Sequence, residues 1–540
     1  MDDKESKIKV ICLGDNEAEF SKFDPTSYQY FATNDIFTSS DNQDASNNEA
    51  KLAELLESWA KDKQLRDVPV ALGEIKQFNN EPDLFKQLVR HTVIYNERNR
   101  LSVEYSALLE LAAAVPVDFQ DANSIKVVLK YVIFGRQNGF RLAPDSLEVA
   151  NQFNGLIERQ GRISVTATAD FNKQKGHQVF TVKMTNYLPK DSYWDFIPEV
   201  DVEGELSLDD VYFKIFLIRE GSLEVIDQQI VTNKELAAGY IFYSGETTVY
   251  LATALYVKGG KGTVRLGQIH VRKSHLRQGK MILGGTSVDD SQQNVAGEIL
   301  TYFNPGDFKP PLNVYFSGYR TLEGFEGQRM MHGMGSPFLL IADSRLEGGA
   351  FYMGNPELEH KVVDIIKKTA QKLGFKHNQI VMSGLSMGTF ASLYYAADIR
   401  PAAVIVGKPL VNIGDVALNE RINRPEGFPT ALDVLMNTVG EVNQAAAQKL
   451  NERFWTKFNE GMLQQTKFFI SYMENDDYDL NAFPQLYEQL KARYPNIQII
   501  HRGFIGRHND DTAGIVTAFF RHYDFVLSHE FGRIMKKGGD

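Results

Sequence analysis

The sequence predicts an α/β protein whose C-terminal part is a doubly wound sheet of α/β-hydrolase type. An antiparallel β-sandwich and an N-terminal α/β module precede it. Three observations carry this. Residues 379–390 read as a short apolar strand, a sharp turn and a helix, with Gly384-Leu385-Ser386-Met387-Gly388 at the turn. Residues 161–284 hold strand-like segments, several of them alternating, with little helical periodicity. On either side, strand-like and helix-like segments alternate, the pattern of parallel sheets.

Residues 1–160 form the first module. Segments 7–14, 27–32 and 68–72 read as strands, and 51–64 (KLAELLESWAKDKQ) has helical spacing. The polar run 38–48 reads as a surface loop. A dinucleotide-binding turn needs Gly-x-Gly-x-x-Gly after the first strand, and Gly14-Asp15-Asn16 does not supply it. The module is therefore expected to be non-catalytic.

In the sandwich, 162–170, 177–184, 211–218, 247–252 and 262–271 are the expected strands. Tyr193-Trp194 reads as a loop pair, either stacking on a sugar or serving the sandwich core or edge.

Residues 285–540 make the third part. Strands are expected at 311–318, 338–342, 402–407, 468–473 and 497–500, with an amphipathic helix over 357–373. The stretch between Gly407 and Lys467 is too long for a simple crossover, so a cap is expected around 410–465.

Composition bounds the function. Hydrophobic residues make 43% and charged residues 24% of the chain, ordinary values for a globular protein. A net charge of -11 argues against nucleic acid or an anionic membrane as main partner. The single cysteine, Cys12, excludes an internal disulfide and reads as a small core residue on a strand. The start Met1-Asp2-Asp3-Lys4-Glu5 has no apolar stretch behind it, and no run of about eighteen apolar residues occurs. A cytoplasmic protein without signal peptide or transmembrane segment is expected.

The turn around Ser386 fits the Gly-x-Ser-x-Gly nucleophile elbow, in which strained backbone forces minimal side chains two residues to either side. A glycine-rich turn without chemistry can show the same letters; the strand before and the helix behind favour a nucleophile. The serine needs an imidazole base and an acid to orient it, in the chain order Ser, acid, His. Of the four histidines after Ser386, only His508 sits in a loop before a last helix. His501 ends a strand, and His522 and His529 fall in or after that helix. The acid should follow strand 468–473, where Glu474, Asp476, Asp477 and Asp479 cluster. Position alone leaves Glu474 and Asp477 near equal. The oxyanion donors are expected to be the N–H of Met387 and one from the turn Ser317-Gly318-Tyr319, with Gly318 the choice.

The segments SGLSMGTFASLYY, SYMENDDYD and GRHND together resemble the second accessory secretory proteins of the Gram-positive accessory Sec export system, over the whole chain and most sharply at 311–515. That resemblance implies a Ser-Glu-His triad on Ser386, Glu474 and His508, and so favours Glu474 over Asp477. It implies an O-acetyltransferase acting on N-acetylglucosamine of a serine-rich-repeat adhesin before export. It also implies a non-enzymatic role in a complex with other accessory secretory proteins, the export motor ATPase being a further candidate partner. No metal or tightly bound cofactor is expected. Acetyl-CoA is the candidate donor, although no phosphate-cradling glycine loop or basic cluster marks a site for it. Two other readings remain: an export scaffold with an idle triad, and a plain carbohydrate esterase or deacetylase.

Overall fold

The computed structural model describes residues 8–36, 45–62, 65, 67–76, 86–88, 91–289, 297–422, 428 and 430–533. The N-terminal five-stranded sheet is all parallel, in the order Tyr28–Ala32, Val10–Gly14, Val70–Leu72, Val93–Asn96, Val115–Val117. Such sheets bind ligands where the strand order reverses, here beside Gly14 and Gly73. Carboxylates occupy that crevice. Glu19 accepts the N–H of Glu74, and Asp15 accepts the N–H of Lys76. A phosphate would meet negative charge there. The helix expected over 51–64 runs Ala45–Lys61, so the end of the supposed 38–48 loop is helical. Residues 38–44 of that stretch lie outside the described residues.

Two antiparallel sheets follow. One runs Val225–Thr232, Val211–Arg219, Val249–Val257, Gln178–Leu188, Leu147–Val149. The other runs Tyr240–Tyr243, Tyr193–Gly204, Lys261–Lys273, Ser164–Asp170, Leu156–Gln160, with Gly139–Leu142 also on Lys261–Lys273. Strands between 139 and 160 thus pair with the sandwich, although the expected boundary at 160 placed them in the first module. For Gly139–Leu142 the partners, such as Ile269 for Leu142, lie over a hundred residues away, beyond the reach of local patterning, whereas Leu156–Gln160 forms a hairpin with Ser164–Asp170. Tyr193 and Trp194 are on a strand, not in a loop. Trp194 is buried and its Nε1–H donates to Ser192 Oγ at 2.9 Å, which rules out stacking on a sugar.

The third part is an eight-stranded sheet. In space the strands run Thr286–Asp289, Glu298–Asn304, Phe338–Asp343, Leu312–Phe316, Ile380–Leu385, Ala403–Gly407, Lys467–Met473, Ile499–Phe504. Glu298–Asn304 is antiparallel to both neighbours, and the strands from Leu312 onward are parallel. The apolar, two-sided burial of the parallel strands inside the edge strand Ile499–Phe504 is what a sheet covered by helices on both faces requires. Helix Pro356–Lys372 covers one face; Asn355 caps it, accepting from Leu358 N–H at 2.8 Å, and Pro356 fixes its first turn. Helix Thr512–Phe525 covers the other. Between Gly407 and Lys467 lie helices Ile413–Ile422, Thr430–Val439 and Gln444–Glu460, at the position expected for a cap. Among the described residues no helix is long and apolar enough to cross a membrane.

Candidate active site

Strand Ile380–Leu385 delivers Ser386 to the mouth of helix Met387–Tyr394. Ser386 has φ 52° and ψ -120°, backbone angles worth about 1–3 kcal/mol of strain. The glycines around it are sterically obligatory. A Cβ on Gly384 would lie 2.4 Å from the Gly388 carbonyl carbon, and one on Gly388 would lie 2.0 Å from Phe316 O. The Ser386 N–H is held by Gly407 O at 2.9 Å on the next strand, so the strain is carried by the sheet.

His508 arrives on the loop after the last strand. Gly506, at φ 130°, makes the bend, and Asp510 closes it by accepting the Arg507 N–H at 2.9 Å. Asp511 then caps the final helix, accepting from Gly514 N–H at 2.8 Å. The result places His508 Nε2 2.9 Å from Ser386 Oγ.

The acid facing His508 is Asp476. Its Oδ2 and Oδ1 lie 2.8 and 3.0 Å from His508 Nδ1. A carboxylate accepts only, so Nδ1 carries the proton and Nε2 is left to accept from the serine hydroxyl. Glu474, the expected acid, is exposed, and its backbone N–H is tied to Phe504 O in the sheet. Its carboxylate lies over the edge strand, where a Cβ on Gly503 would meet Oε1 at 2.8 Å. The other two carboxylates have separate tasks. Asp477 accepts the His508 backbone N–H at 3.0 Å. Asp479 is buried and accepts from the Val411 and Asn412 N–H groups at 2.8 and 2.7 Å, anchoring the start of the cap segment. Burial pushes the Asp479 carboxyl up, against those hydrogen bonds. No sequence signal separates these four groups; only the direction each takes from the loop does.

The site is nearly dry: His508 is 2% and Asp476 5% exposed. Burial pulls the His508 imidazole below its ordinary value, with the Asp476 hydrogen bond and charge opposing. Its neutral form is therefore the resting one, as a base must be. The Tyr478 ring stands edge-on to His508 at 4.3 Å. Phe428 in turn packs on Tyr478, Tyr319 and Phe351, so a cap residue closes over the site. Lys408, missed from the sequence, is a buried cation on a left-handed residue directly after Gly407. Burial lowers its ammonium, while Asp476 and then Glu326 favour its charge.

Met387 opens its helix, so its N–H has no intrahelical partner. Gly318 does not fit its expected part. Its N–H donates to Glu326 Oε2 at 2.7 Å, and a carboxylate there leaves no bond for an oxyanion. The next N–H along the same turn belongs to Tyr319.

Known proteins resemble this chain over most of its length. The model of the family described as Asp2, Accessory Sec system GspB-transporter, matches residues 10–533. The accessory Sec system protein Asp2 of Staphylococcus aureus is 40% identical over 442 residues, 82% of this chain and 83% of its own. Its counterpart in Streptococcus gordonii is 35% identical over 460 residues, 84% of this chain and 88% of its own. A solved chain of the Glycosylation Associate Protein (Gap123) complex from Streptococcus agalactiae is 30% identical with a TM-score of 0.80. The match covers 98% of this chain and 100% of that one.

Proposed function

The chain belongs to the Asp2 family of accessory Sec system proteins, and on that footing we propose that it is a serine-dependent O-acetyltransferase. Its acceptor is N-acetylglucosamine on a serine-rich-repeat adhesin. It works within a complex with other accessory secretory proteins that the adhesin's export requires, the export motor ATPase being a further partner. The observation that carries the chemical part is the continuous relay from Ser386 Oγ through His508 to Asp476.

In the first half-reaction Ser386 Oγ attacks the carbonyl carbon of an acetyl thioester or ester, acetyl-CoA being one such donor. The hydroxyl proton passes to His508 Nε2, and Asp476 stabilises the imidazolium. The tetrahedral oxygen is held by the Met387 N–H and, in place of Gly318, by that of Tyr319. Collapse expels the thiolate or alkoxide, which takes the proton from His508, and leaves Ser386 acetylated. In the second half a sugar hydroxyl gives its proton to His508 and attacks the acyl carbon. Ser386 recovers the proton as it leaves. Transfer in place of hydrolysis requires that water be kept from the acyl-enzyme, a task that fits the cap residue Phe428.

The test is acetylation of the adhesin glycan in a Ser386→Ala strain, beside labelling of the purified protein by a serine-reactive phosphonate. Lost acetylation and a label on Ser386 support the reading; unchanged acetylation ends it. Export in the same strain separates the enzymatic role from the scaffolding one.

A further inference from the structure

The turn that follows strand Leu312–Phe316 is held from outside its own sheet. Arg141, on the sandwich strand Gly139–Leu142, is 5% exposed and points its guanidinium into that turn. Its Nη1 donates to Arg320 O and Thr321 O, both at 3.2 Å, and its Nε donates to Ser344 O at 3.2 Å. Two residues before the strand, Gln137 grips Phe325 from both sides. Its Nε2–H donates to Phe325 O and its Oε1 accepts from Phe325 N–H, each at 2.9 Å. The Glu323 N–H donates to Gly139 O at 3.0 Å.

Glu323 fixes the turn more firmly still. Its side chain is fully buried, and a buried carboxylate persists only when paired and hydrogen-bonded. Its partners are all from the sandwich: His270 Nδ1, Arg272 Nε and, at 3.3 Å, Arg141 Nε. Glu199 on strand Tyr193–Gly204 backs His270 at 3.2 Å, and Glu298 pairs with Arg272. Burial favours the neutral form of both groups, but the cations Arg272, His270 and Arg141 outweigh it and leave the Glu323 carboxyl lowered to about 2. The carboxylates Glu323 and Glu199 likewise leave the His270 imidazole raised to about 9.

This grip reaches the reacting centre in two short steps. Phe325, clamped by Gln137, is followed by Glu326, whose carboxylate takes the Gly318 N–H and whose own N–H donates to Ser317 Oγ at 3.1 Å. Gly318 and Tyr319 therefore stand where they do because residues 320–326 are docked on the sandwich.

We propose that the sandwich positions the oxyanion turn of the acyl-transfer site, with Arg141 and Gln137 as the positioning residues. This inference rests on the acyl-transfer reading above. It assigns the second part of the chain a task in catalysis: without its hold the turn moves, and a shift of about 1 Å at such a site costs about a hundredfold in rate.

The test uses the full chain carrying Gln137→Ala or Arg141→Lys. The first is half-buried and conservative for folding; the second keeps the charge beside Glu323 but loses the fork to three carbonyls. Backbone amide exchange is read over 317–326 and over the elbow at 380–394. Turnover is read on a small acetyl ester and on its thionoester, whose sulfur makes little use of an oxyanion hole. Exchange over 317–326 should accelerate while the elbow stays protected. For the oxygen ester kcat should fall about tenfold or more, with KM within about twofold and the thionoester rate nearly unchanged. Unchanged exchange over the turn, or ester and thionoester falling in parallel, overturns the proposal. A wild-type chain that cleaves neither ester and leaves Ser386 unlabelled fails the acyl-transfer reading instead. Exchange over the turn then still decides whether the sandwich holds it.

Discussion

Asp476 Oδ2 lies 2.8 Å from His508 Nδ1, while Glu474, two residues earlier in the same loop, faces solvent. Asp476→Asn leaves the geometry nearly intact but allows the wrong imidazole tautomer, and kcat should fall by about 10³–10⁴. Glu474→Gln should stay within about twofold of wild type, as an exposed residue off the relay. Steady-state acetyl transfer on the two variants decides between the carboxylates. The opposite ranking would restore Glu474.

The pH profile follows from the buried imidazole. His508 titrates below its ordinary value of about 6.5, so the acidic limb of kcat/KM should lie below that value. Stability follows the same sign. The unfolded chain takes up the proton first, so the contribution is full above about 6.5 and is lost as pH falls toward the folded value. Imidazole resonances and denaturant melts over pH 4–8, roughly the window in which histidines titrate, read both effects.

Lys408 should tune that limb. Its positive charge lowers the His508 value, so Lys408→Met should move the acidic limb of kcat/KM upward. Lys408→Arg should hold it near wild type. An unmoved limb in the methionine variant would show that the ammonium does not reach the imidazole.

The elbow tolerates no side chain. Gly388→Ala places a Cβ 2.0 Å from Phe316 O, and the backbone must open to admit it. A loss of about 1–3 kcal/mol or more is expected, with phosphonate labelling of Ser386 abolished. Thermal melting and labelling of the same sample check both.

Cys12 should be inert in the native state. It is fully buried on strand Val10–Gly14, and burial, with Glu17 adding a little, pushes its thiol far above the ordinary range. A thiol reagent should react with it only after unfolding.

The amino-acid sequence by itself determined the class of fold, the sharp turn that carries Ser386 and the loop that carries His508. These are local facts: glycines flanking Ser386, apolar strands between helical segments, a single histidine in the loop before the last helix. It also placed an extra helical segment between Gly407 and Lys467, which are too far apart for one crossover. The tertiary structure alone decided three matters. It chose Asp476 among four carboxylates within six residues, because neighbouring side chains leave a loop in different directions and only one meets the imidazole. It removed Gly318 as an oxyanion donor, because its N–H is taken by a carboxylate eight residues on. It gave strand Gly139–Leu142 to the sandwich and docked that sandwich on the turn after Phe316, because contacts such as Leu142 with Ile269 and Arg141 with Arg320 O join residues more than a hundred positions apart. Local propensity reports what a segment prefers alone; such contacts are set by which distant surfaces the packed chain brings within hydrogen-bond reach.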